Sequence, residues 1–301
     1  MFEVAQVEFA VNPRPLVTVA MPVYNAGKHL RLAVLSIVDQ TFTDWELLII
    51  DDGSTDNALL EVADISDSRV RILLDGINKG LAARLNECID LARGKYFARM
   101  DQDDVSYPSR LMRQVEFFNN NPDLDLLAVK AITIDDTNLV TGLFPSALTH
   151  DEICAKPWRG FYFPHPTWMG EIEWFRQHRY SVPGPYFCED QELLLRSYRN
   201  SKFVTIDETL FAYRIRQDVN QEKLAKIRRT VLNIQLKYFL SLGLWHFALL
   251  AIATFVLKKS RDLLNRTAKS THQSECNMID GTILFKWNRI LNDLLTDSKV
   301  L

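Results

Sequence analysis

The feature that most constrains the fold is a fourfold alternation of short apolar runs and helical patterns within the first hundred residues. Between the runs, apolar side chains recur at helical spacing, most clearly at 30–38 and 81–92. The runs are rich in β-branched or aromatic residues and end in polar turns, which predicts strands at 16–20, 45–50, 70–74 and 95–100. This alternation is typical of a mostly parallel sheet with helices on both faces, so we predict an α/β fold.

Polar motifs follow three of these strands. PVYN begins at Pro22, DDGSTD at Asp51 and DQDD at Asp101. Because ligands of open α/β sheets bind at the carboxyl ends of the strands, we expect the three motifs to meet in one crevice.

The DQDD motif places three carboxylates, Asp101, Asp103 and Asp104, within four residues. Clustered carboxylates repel one another unless a cation or a donor compensates them, and a hard divalent cation shared with phosphate oxygens is suited to this. In an extended chain Asp101 and Asp103 point the same way, so both can face one Mg²⁺ or Mn²⁺ and one nucleotide. An isolated DxD is more often a solvated acidic turn, but its place after a strand and before a helix favours the metal site.

Two further segments suit a nucleotide. In DDGSTD one aspartate can accept from a base edge while Ser54 or Thr55 caps the next helix. The turn Asn78-Lys79-Gly80, with Arg84 one helical turn later, offers backbone N–H groups and a guanidinium to phosphate. The alternative is a plain start of a helix with an exposed arginine.

Acids and aromatic residues mark the second half of the chain. Glu189 and Asp190 open a predicted helix at 188–198, where they serve as a general base for an acceptor hydroxyl or only stabilise the helix dipole. His165, in FPHPTWM, is a substrate contact or a structural histidine. Trp158 and Trp168 are core residues or a platform for a sugar ring.

Charge is distributed unevenly along the chain. Residues 214–269 contain 12 Lys/Arg and 3 Asp/Glu, a local charge of +9, so the rest carries −12 and two surfaces with different partners are expected. We expect no nucleic-acid partner. The four cysteines form no CxxC pair and the N-terminus lacks a secretory signal, which predicts reduced thiols in a cytoplasmic protein.

Residues 238–257 form a run of 20 residues without formal charge, long enough to cross a bilayer. Both flanks are basic, whereas a span should be basic on one side only. Three alternatives stay open: a helix in the interface of an anionic membrane, which the flanks favour, a helix packed on the domain or on a second copy in a homodimer, and a span. A polar linker is expected at 260–280 and an amphipathic segment at 283–295.

The chain resembles family 2 of the inverting glycosyltransferases over residues 15–215, through PLVTVAMPVYNAGKHLRLAVLSIVDQTFTDWELLIIDDGSTDN, NKGLAARLNECIDLARGKYFARMDQDDVSYPSRL and CEDQELLLR. The resemblance implies a GT-A fold in residues 1–215, with a Rossmann-like nucleotide-sugar half at about 15–130 and an acceptor half at about 131–215. Residues 216–301 would be a basic helical extension. It also implies a nucleotide-sugar donor, often UDP-linked, and Mg²⁺ or Mn²⁺.

Matched residue by residue, the resemblance implies that Pro22 and Tyr24 line the nucleobase pocket and that Asp52 accepts from the base. Asp103 and Asp101 bind the metal, Asp101 also facing the ribose, and Asp104 is interpreted as a cap of the next helix. Asp190, beside Glu189, is the base, and His165 and Trp168 belong to the acceptor side. The full predicted donor site comprises Pro22, Tyr24, Asn25, Asp51, Asp52, Lys79, Gly80, Arg84, Asp101 and Gln102.

The resulting hypothesis is a metal-dependent, inverting hexosyltransferase at the cytoplasmic face of the plasma membrane. It transfers one sugar to a glycan or lipid-linked saccharide in the synthesis of bacterial O-antigen, capsule or exopolysaccharide. No QxxRW-like motif and no set of multiple spans is present, which argues against a polymerising synthase.

Two other functions are weighed against this hypothesis. A sugar-1-phosphate nucleotidyltransferase fits poorly, because PVYNAGK stands where a glycine-rich loop with Arg and Lys is expected. A non-catalytic nucleotide-sugar-binding protein would not need all the acids that are intact here.

Overall fold

The computed structural model describes residues 14–215, 221–267 and 279–300. The strands are β1 (Val17–Val23), β2 (Trp45–Asp51), β3 (Val70–Leu74), β4 (Tyr96–Arg99), β5 (Val105–Ser106), β6 (Leu126–Ile134), β7 (Val140–Leu143), β8 (Met169–Glu171) and β9 (Phe203–Arg214). The α-helices are α1 (Leu30–Val38), α2 (Leu81–Leu91), α3 (Arg110–Asn120), α4 (His150–Cys154), α5 (Ile172–Gln177), α6 (Glu189–Ser197), α7 (Gln221–Ser241), α8 (Trp245–Thr267) and α9 (Gly281–Val300).

The described strands form one sheet in the order β3-β2-β1-β4-β8-β6-β9-β5, with β7 paired to β6. The four strands predicted in the first hundred residues are mutually parallel, with β1 in the centre between β2 and β4. In the second half, β8 is antiparallel to both β4 and β6, whereas β6 and β9 are parallel. The predicted α/β fold is confirmed, although the second half of the sheet is mixed.

Strand β1 is buried at every position because helices cover both of its faces. Its alternate residues serve two cores: Val17, Val19 and Met21 pack in the core that contains α1, whereas Ala20 packs in the core that contains α2. The polar loops at the carboxyl end of β1 are therefore held on a rigid base.

The sequence pattern predicts two short strands, at 203–206 and 210–213, whereas the structure has one strand of twelve residues, β9. Val129 pairs with Ile206, but the next residue, Lys130, pairs with Thr209. The acids at 207 and 208 are thus accommodated as a bulge rather than as a break, with Lys130 Nζ 2.8 Å from the Asp207 carboxylate. The aromatic residues, prolines and glycines of 145–185 predict a loop-rich region, and the structure has α4, β8 and α5 there as well as loops.

The uncharged run at 238–257 is divided between two helices. Helix α7 ends at Ser241, and α8 begins at Trp245 after a turn in which Gly243 has a φ of +69°. No described helix combines the length and apolar character needed to cross a membrane. The spanning alternative is therefore wrong for these residues.

Helix α9 includes the amphipathic segment expected at 283–295. Its Trp287, Leu291 and Leu294 are buried in a third apolar cluster with residues of α1, β5, β6 and β9.

The linker expected at 260–280 falls largely on 268–278, which lies outside the described residues. Residues 1–13, where a secretory signal was not expected, also lie outside them. Of the cysteines, Cys88, Cys154 and Cys188 are free thiols, as predicted, and Cys276 lies outside the described residues.

Candidate active site

Hydrogen bonds between side chains and backbone join the three motif loops. Asn25 Oδ1, in PVYN, accepts from the N–H groups of Thr55 at 2.8 Å and Asp56 at 3.3 Å, both in DDGSTD. Gln102, in DQDD, accepts from the Tyr24 N–H at 2.6 Å and donates to the Tyr24 carbonyl at 3.0 Å. The structure thus brings the three motifs together at one edge of the sheet, and Tyr24 stays 47% exposed there.

Asp51 and Asp52 end β2, and both are buried. Asp51 Oδ2 accepts from the N–H groups of Gly53 at 3.1 Å and Ser54 at 3.0 Å, which closes the turn. Its Oδ1 is a buried atom without a hydrogen-bond partner. The capping role predicted for Ser54 or Thr55 is wrong, because the 3-10 helix Ala58–Val62 that follows has no side-chain cap.

The Asn78-Lys79-Gly80 turn binds Asp52. The Asp52 carboxylate accepts from the N–H groups of Lys79 at 2.6 Å and Gly80 at 3.0 Å, and from Arg84 Nε at 2.9 Å. Two adjacent backbone donors and one guanidinium thereby fix the orientation of a carboxylate. The same donors were predicted to bind a phosphate.

Arg84 is not the exposed arginine of the alternative interpretation, a plain start of a helix. It is 1% exposed, and its guanidinium donates to Asp52, Asp75, Glu87 and the carbonyl of Ile77. A buried guanidinium needs such partners, because desolvation without them is costly. Lys79 Nζ is likewise engaged, 2.7 Å from Asp75 and 2.6 Å from Glu87. In this arrangement Arg84, Lys79 and Gly80 hold Asp52, and their role toward phosphate stays a prediction.

A fully buried arginine precedes the DQDD motif. Arg99 ends β4, and its guanidinium lies 2.6 Å from Asp101 Oδ1 and 3.4 Å from His165 Nε2. Asp104 is also buried, and its Oδ1 accepts from the Arg214 N–H at 2.7 Å. The interpretation of Asp104 as a helix cap is wrong, because α3 has Ser109 at its N-cap and no side-chain cap.

The acidic motif has the donor set of a hard cation. Burial and the charges of Asp101 and Asp103 raise the pKa of Asp104 well above its usual value, and its buried Oδ2 has no hydrogen-bond partner. Within the described residues, no three His, Cys, Asp or Glu side chains form a complete metal cage. Mg²⁺ commonly takes only one or two carboxylates and completes its shell with phosphate and water. Asp101 and Asp103 therefore fit a cation that is shared with a diphosphate.

Glu189 and Asp190 lie half-buried in the first turn of α6. Burial and the adjacent Asp190 raise the pKa of Glu189 to about 7. Burial also raises the pKa of Asp190. The hydrogen bond that Gln191 donates to Asp190 Oδ2 at 3.0 Å acts in the opposite direction and lowers it.

The acid pair lies within electrostatic range of DQDD. The negative charge of Asp101 contributes to the raised pKa of Glu189, and the charges of Asp101 and Asp190 both contribute to the raised pKa of Tyr213. Such interactions require proximity in a region of low dielectric.

His165 and Trp168 have different environments. His165 Nε2 lies 2.7 Å from the Tyr180 hydroxyl, and burial together with Arg99 lowers the pKa of His165 well below 6.5. It is thus a neutral group beside the Arg99–Asp101 pair. Trp168 is 0% exposed and donates to the Phe163 carbonyl at 3.3 Å, so its predicted role as an acceptor platform is wrong: no face is open to a sugar.

Sequence reasoning missed the buried arginines beneath the site. Arg110 Nη2 donates to the Arg99 carbonyl at 2.7 Å, and burial lowers the pKa of Arg110 to about 9. Arg214 Nε donates to the Asp103 carbonyl at 2.7 Å. One signal was available: an arginine stands in an apolar strand two residues before the first acid of DQDD, where a buried partner charge is expected.

A sequence model of the family described as glycosyl transferase family 2 matches residues 18–179. The chain is 30% identical over 234 residues to EpsE of Bacillus subtilis (strain 168), a protein named as a glycosyltransferase, covering 76% of this chain and 82% of EpsE. It is also 36% identical over 106 residues to WfgD of Escherichia coli, named as a UDP-Glc:alpha-D-GlcNAc-diphosphoundecaprenol beta-1,3-glucosyltransferase. That match covers 35% of this chain and 42% of WfgD.

Solved structures show the same fold. Residues 1–349 of TarS from S. aureus, in complex with UDP, align with a TM-score of 0.59 at 18% identity, over 92% of this chain and 79% of that one. The mannosyltransferase PcManGT from Pyrobaculum calidifontis, in complex with GDP-Man and Mn²⁺, aligns with a TM-score of 0.55 at 15% identity, over 95% and 84% of the two chains. The predicted GT-A fold is confirmed.

Proposed function

Because the chain belongs to glycosyl transferase family 2 and is a glycosyltransferase, we propose that it transfers one sugar from a nucleotide-diphosphate sugar, UDP-linked, to a glycan or lipid-linked saccharide. The pathway is the synthesis of a bacterial surface polysaccharide such as O-antigen, capsule or exopolysaccharide. The observation that carries this proposal is that hydrogen bonds join PVYN, DDGSTD and DQDD at one edge of the sheet, within electrostatic range of the Glu189-Asp190 pair. The names of WfgD and of TarS in complex with UDP support the UDP-linked donor, and WfgD supports a lipid-linked acceptor.

The donor is assigned to the loops at the carboxyl ends of β1, β2 and β4. Pro22 and Tyr24 would line the base, with Asn25 and Gln102 holding the loops in place. Asp52 Oδ2 accepts one backbone N–H, from Gly80 at 3.0 Å, and a carboxylate oxygen can accept a second bond, here from a base N–H. Asp51 supports this turn, and Asp101 would accept from the ribose.

The proposed cofactor is Mg²⁺ or Mn²⁺, held by Asp103 and Asp101. When bound, the cation would neutralise charge on the departing diphosphate. The Mn²⁺ bound beside GDP-Man in PcManGT supports this assignment.

Asp190 is the proposed general base. It would take the proton of the acceptor hydroxyl while the hydroxyl oxygen attacks the anomeric carbon from the face opposite the leaving group. The bond to the diphosphate breaks, its electron pair leaves with the nucleoside diphosphate, and the anomeric configuration inverts. The raised pKa of Asp190 makes it a stronger base than an exposed aspartate, and Gln191 holds the orientation of its carboxylate.

The test is a screen of nucleotide sugars by metal-dependent donor hydrolysis, followed by acceptor transfer with Asp190→Asn. We expect this variant to lose about 10²–10⁴-fold in kcat and to keep its nucleotide Kd within about threefold, because only proton transfer is removed. Glu192→Gln is the matched control, since Glu192 lies in the same helical turn and pairs with Arg196. Near-normal transfer by Asp190→Asn would show the base assignment to be wrong.

The same screen separates the alternative functions. A sugar-1-phosphate nucleotidyltransferase would release pyrophosphate, whereas the proposed reaction releases a nucleoside diphosphate. A non-catalytic binding protein would bind the nucleotide sugar and turn none of it over.

We further propose that the helical hairpin α7–α8 attaches the enzyme to the inner, anionic face of the plasma membrane. Exposed apolar side chains run along α8 at Trp245, Leu249, Ile252 and Val256, and exposed basic side chains occur at 237, 259 and 261. This combination suits a helix lying in a membrane interface. A homodimer through this face is the competing explanation.

The boundary between catalytic domain and extension, at 215/216, stays a prediction.

A further inference from the structure

A pocket of about 310 Å³ lies where α7 and α8 meet the loop 158–162 and the first turn of α6. Its walls are mainly apolar and include Trp158, Ile227, Val231, Leu232 and Phe255. This volume is within the range of pockets that bind small organic ligands. Neither the donor site nor the DQDD motif contributes a residue to it, so the proposed chemistry leaves it unexplained.

The polar part of the pocket is positively charged. Arg159, Arg228 and Lys258 line it, and none of the residues that line it is acidic. Lys258 Nζ donates to the Arg159 carbonyl at 3.3 Å, and Arg228 Nη1 donates to the Lys258 carbonyl at 3.2 Å, so the three residues are neighbours in the wall of the pocket. Burial and the neighbouring positive charges of Arg228, Arg159 and Arg261 lower the pKa of Lys258. Several positive side chains that line one pocket favour a bound anion.

One side chain connects the pocket with the proposed base. Gln191 lines the pocket and accepts from the Phe161 N–H at 2.9 Å through Oε1. Through Nε2 it donates to Asp190 at 3.0 Å. Gln191 is therefore a wall of the pocket that is bonded directly to the proposed base.

Helix α8 is apolar on two sides. Ala251, Thr254, Phe255 and Lys258 recur at helical spacing and line the pocket. The exposed residues Trp245, Leu249, Ile252 and Val256 form a second stripe that faces away from the pocket. A helix that is apolar on both sides suits a position between the protein and lipid.

We propose that this pocket, called here the carrier pocket, binds the diphosphate and the first apolar units of a membrane lipid carrier whose terminal sugar is the acceptor. The cations bind the diphosphate, the apolar walls bind the start of the lipid chain, and the attached sugar reaches Asp190. The inference rests on the proposed function and specifies its acceptor.

The test measures binding of farnesyl diphosphate, a short isoprenoid diphosphate, to the full chain by titration calorimetry in metal-free buffer containing UDP. We expect the unmodified protein to bind farnesyl diphosphate at least about tenfold more tightly than inorganic pyrophosphate, because the apolar walls add affinity. Lys258→Met should weaken binding by about tenfold or more, because it removes a partly buried charge from the anion site.

The matched control is Lys259→Met, which removes the same charge one residue later, from an exposed position on the same helix. It should bind within about twofold of the unmodified protein. Thr254→Trp is a second variant, which fills the apolar part of the pocket and keeps all its cations, and it should weaken binding by a similar factor. Thermal melting of each variant checks that the chain is folded.

Four outcomes would overturn the carrier pocket. They are equal losses in Lys258→Met and Lys259→Met, equal affinity for farnesyl diphosphate and pyrophosphate, binding of the probe only when UDP is left out of the buffer, and a dimer of the unmodified protein that Thr254→Trp dissociates. Donor hydrolysis by the unmodified protein is measured in parallel. Its absence would refute the proposed function, whereas hydrolysis without selective loss of probe binding would refute the carrier pocket alone.

Discussion

Single residues beneath the site decide how its charges behave. Asp52, Asp101 and Asp104 each contact an arginine residue: the Arg84 and Arg99 side chains and the Arg214 backbone, respectively. Burial raises the pKa of Glu189 and Asp190, and also that of Asp104. An arginine side chain thus balances the charge of Asp52 and of Asp101, whereas Asp104 and the Glu189-Asp190 pair hold a proton more readily.

The rate should depend on pH through this pair. We expect kcat/KM to rise with pH, because Asp190 must be ionised to accept the proton of the acceptor, and burial raises the pKa of Asp190. Glu189→Gln should move the midpoint down by about one pH unit, because it removes a neighbouring negative charge from Asp190. A pH–rate series for both proteins measures this, and an unchanged midpoint would contradict it. His165 should not contribute to this pH dependence, because its pKa lies well below 6.5.

The stability of the fold should depend on the same residue. The pKa of Glu189 is raised on folding from its ordinary value of 4.5, so its contribution to stability is present below about pH 4.5 and is lost as pH rises through about 7. Relative to the unmodified protein, Glu189→Gln should therefore gain on the order of 1–2 kcal/mol in unfolding free energy between those pH values. Urea unfolding at pH 4.5 and pH 8 provides the measurement, and a constant difference between the two proteins would argue against it.

At the scale of elements, the periodicity of apolar residues predicted those strands and helices that are long enough to show it. The strand at 70–74 was placed at its observed bounds, and the helices at 81–92 and 188–198 were placed within one residue at each end. Strands β5 and β8 have two and three residues, too few for a periodic signal, and only their partners β9, β4 and β6 define them. The division of 238–257 depends on the turn at Gly243, which a hydropathy pattern does not reveal.

The positions of the site motifs along the chain were predictable, but the contacts of their side chains were not. Pro22, Asp51 and Asp101 follow strands, and the order of parallel strands brings their loops together. The partners of each side chain were not predictable, because they come from distant parts of the chain: Asp52 is held by Lys79 and Gly80, where a phosphate was expected. Burial of Arg84 and Trp168 is likewise a property of the assembled fold rather than of local sequence.

Helix α9 should stabilise the catalytic domain through one side chain. Trp287 is 1% exposed, lies edge-on to Tyr107 at 5.3 Å and donates to the Thr209 carbonyl at 3.2 Å. Trp287→Ala should lower the unfolding free energy by about 3–5 kcal/mol, because it leaves a large cavity between α9 and the sheet. Phe285→Ala is the control, since Phe285 is 70% exposed on the same helix, and it should change stability by less than about 0.5 kcal/mol. Equal effects in urea unfolding would show that α9 is not docked as described.

At the scale of the whole molecule, the two charged regions belong to different tasks. The acidic part contains the donor site and the proposed metal ligands, whereas the basic segment 214–269 includes the α7–α8 hairpin and its exposed apolar stripe. The carrier pocket lies where the two regions meet, and Gln191, which donates to Asp190, is part of its wall. A lipid-linked acceptor would therefore approach from the membrane side and the nucleotide sugar from the aqueous side.

The hairpin should bind anionic membranes in a salt-dependent way. We expect the protein to float with vesicles that contain anionic lipid, and to do so less at high salt, because basic side chains contribute to the attraction. Trp245→Ala combined with Leu249→Ala should reduce flotation several-fold, because both side chains are about two-thirds exposed on α8. Flotation that is absent, or equal on zwitterionic vesicles, would favour the homodimer through this face instead.

The bonds that join the motif loops have a consequence for engineering. Asn25, at a φ of +49°, connects PVYN to DDGSTD, and Gln102 connects PVYN to DQDD. A loop transplanted alone from a relative with another donor would lose partners in the other two. Chimeras that exchange all three loops together should therefore be soluble and retain nucleotide binding more often than chimeras that exchange one, so donor choice in this chain is a property of the three loops as a set.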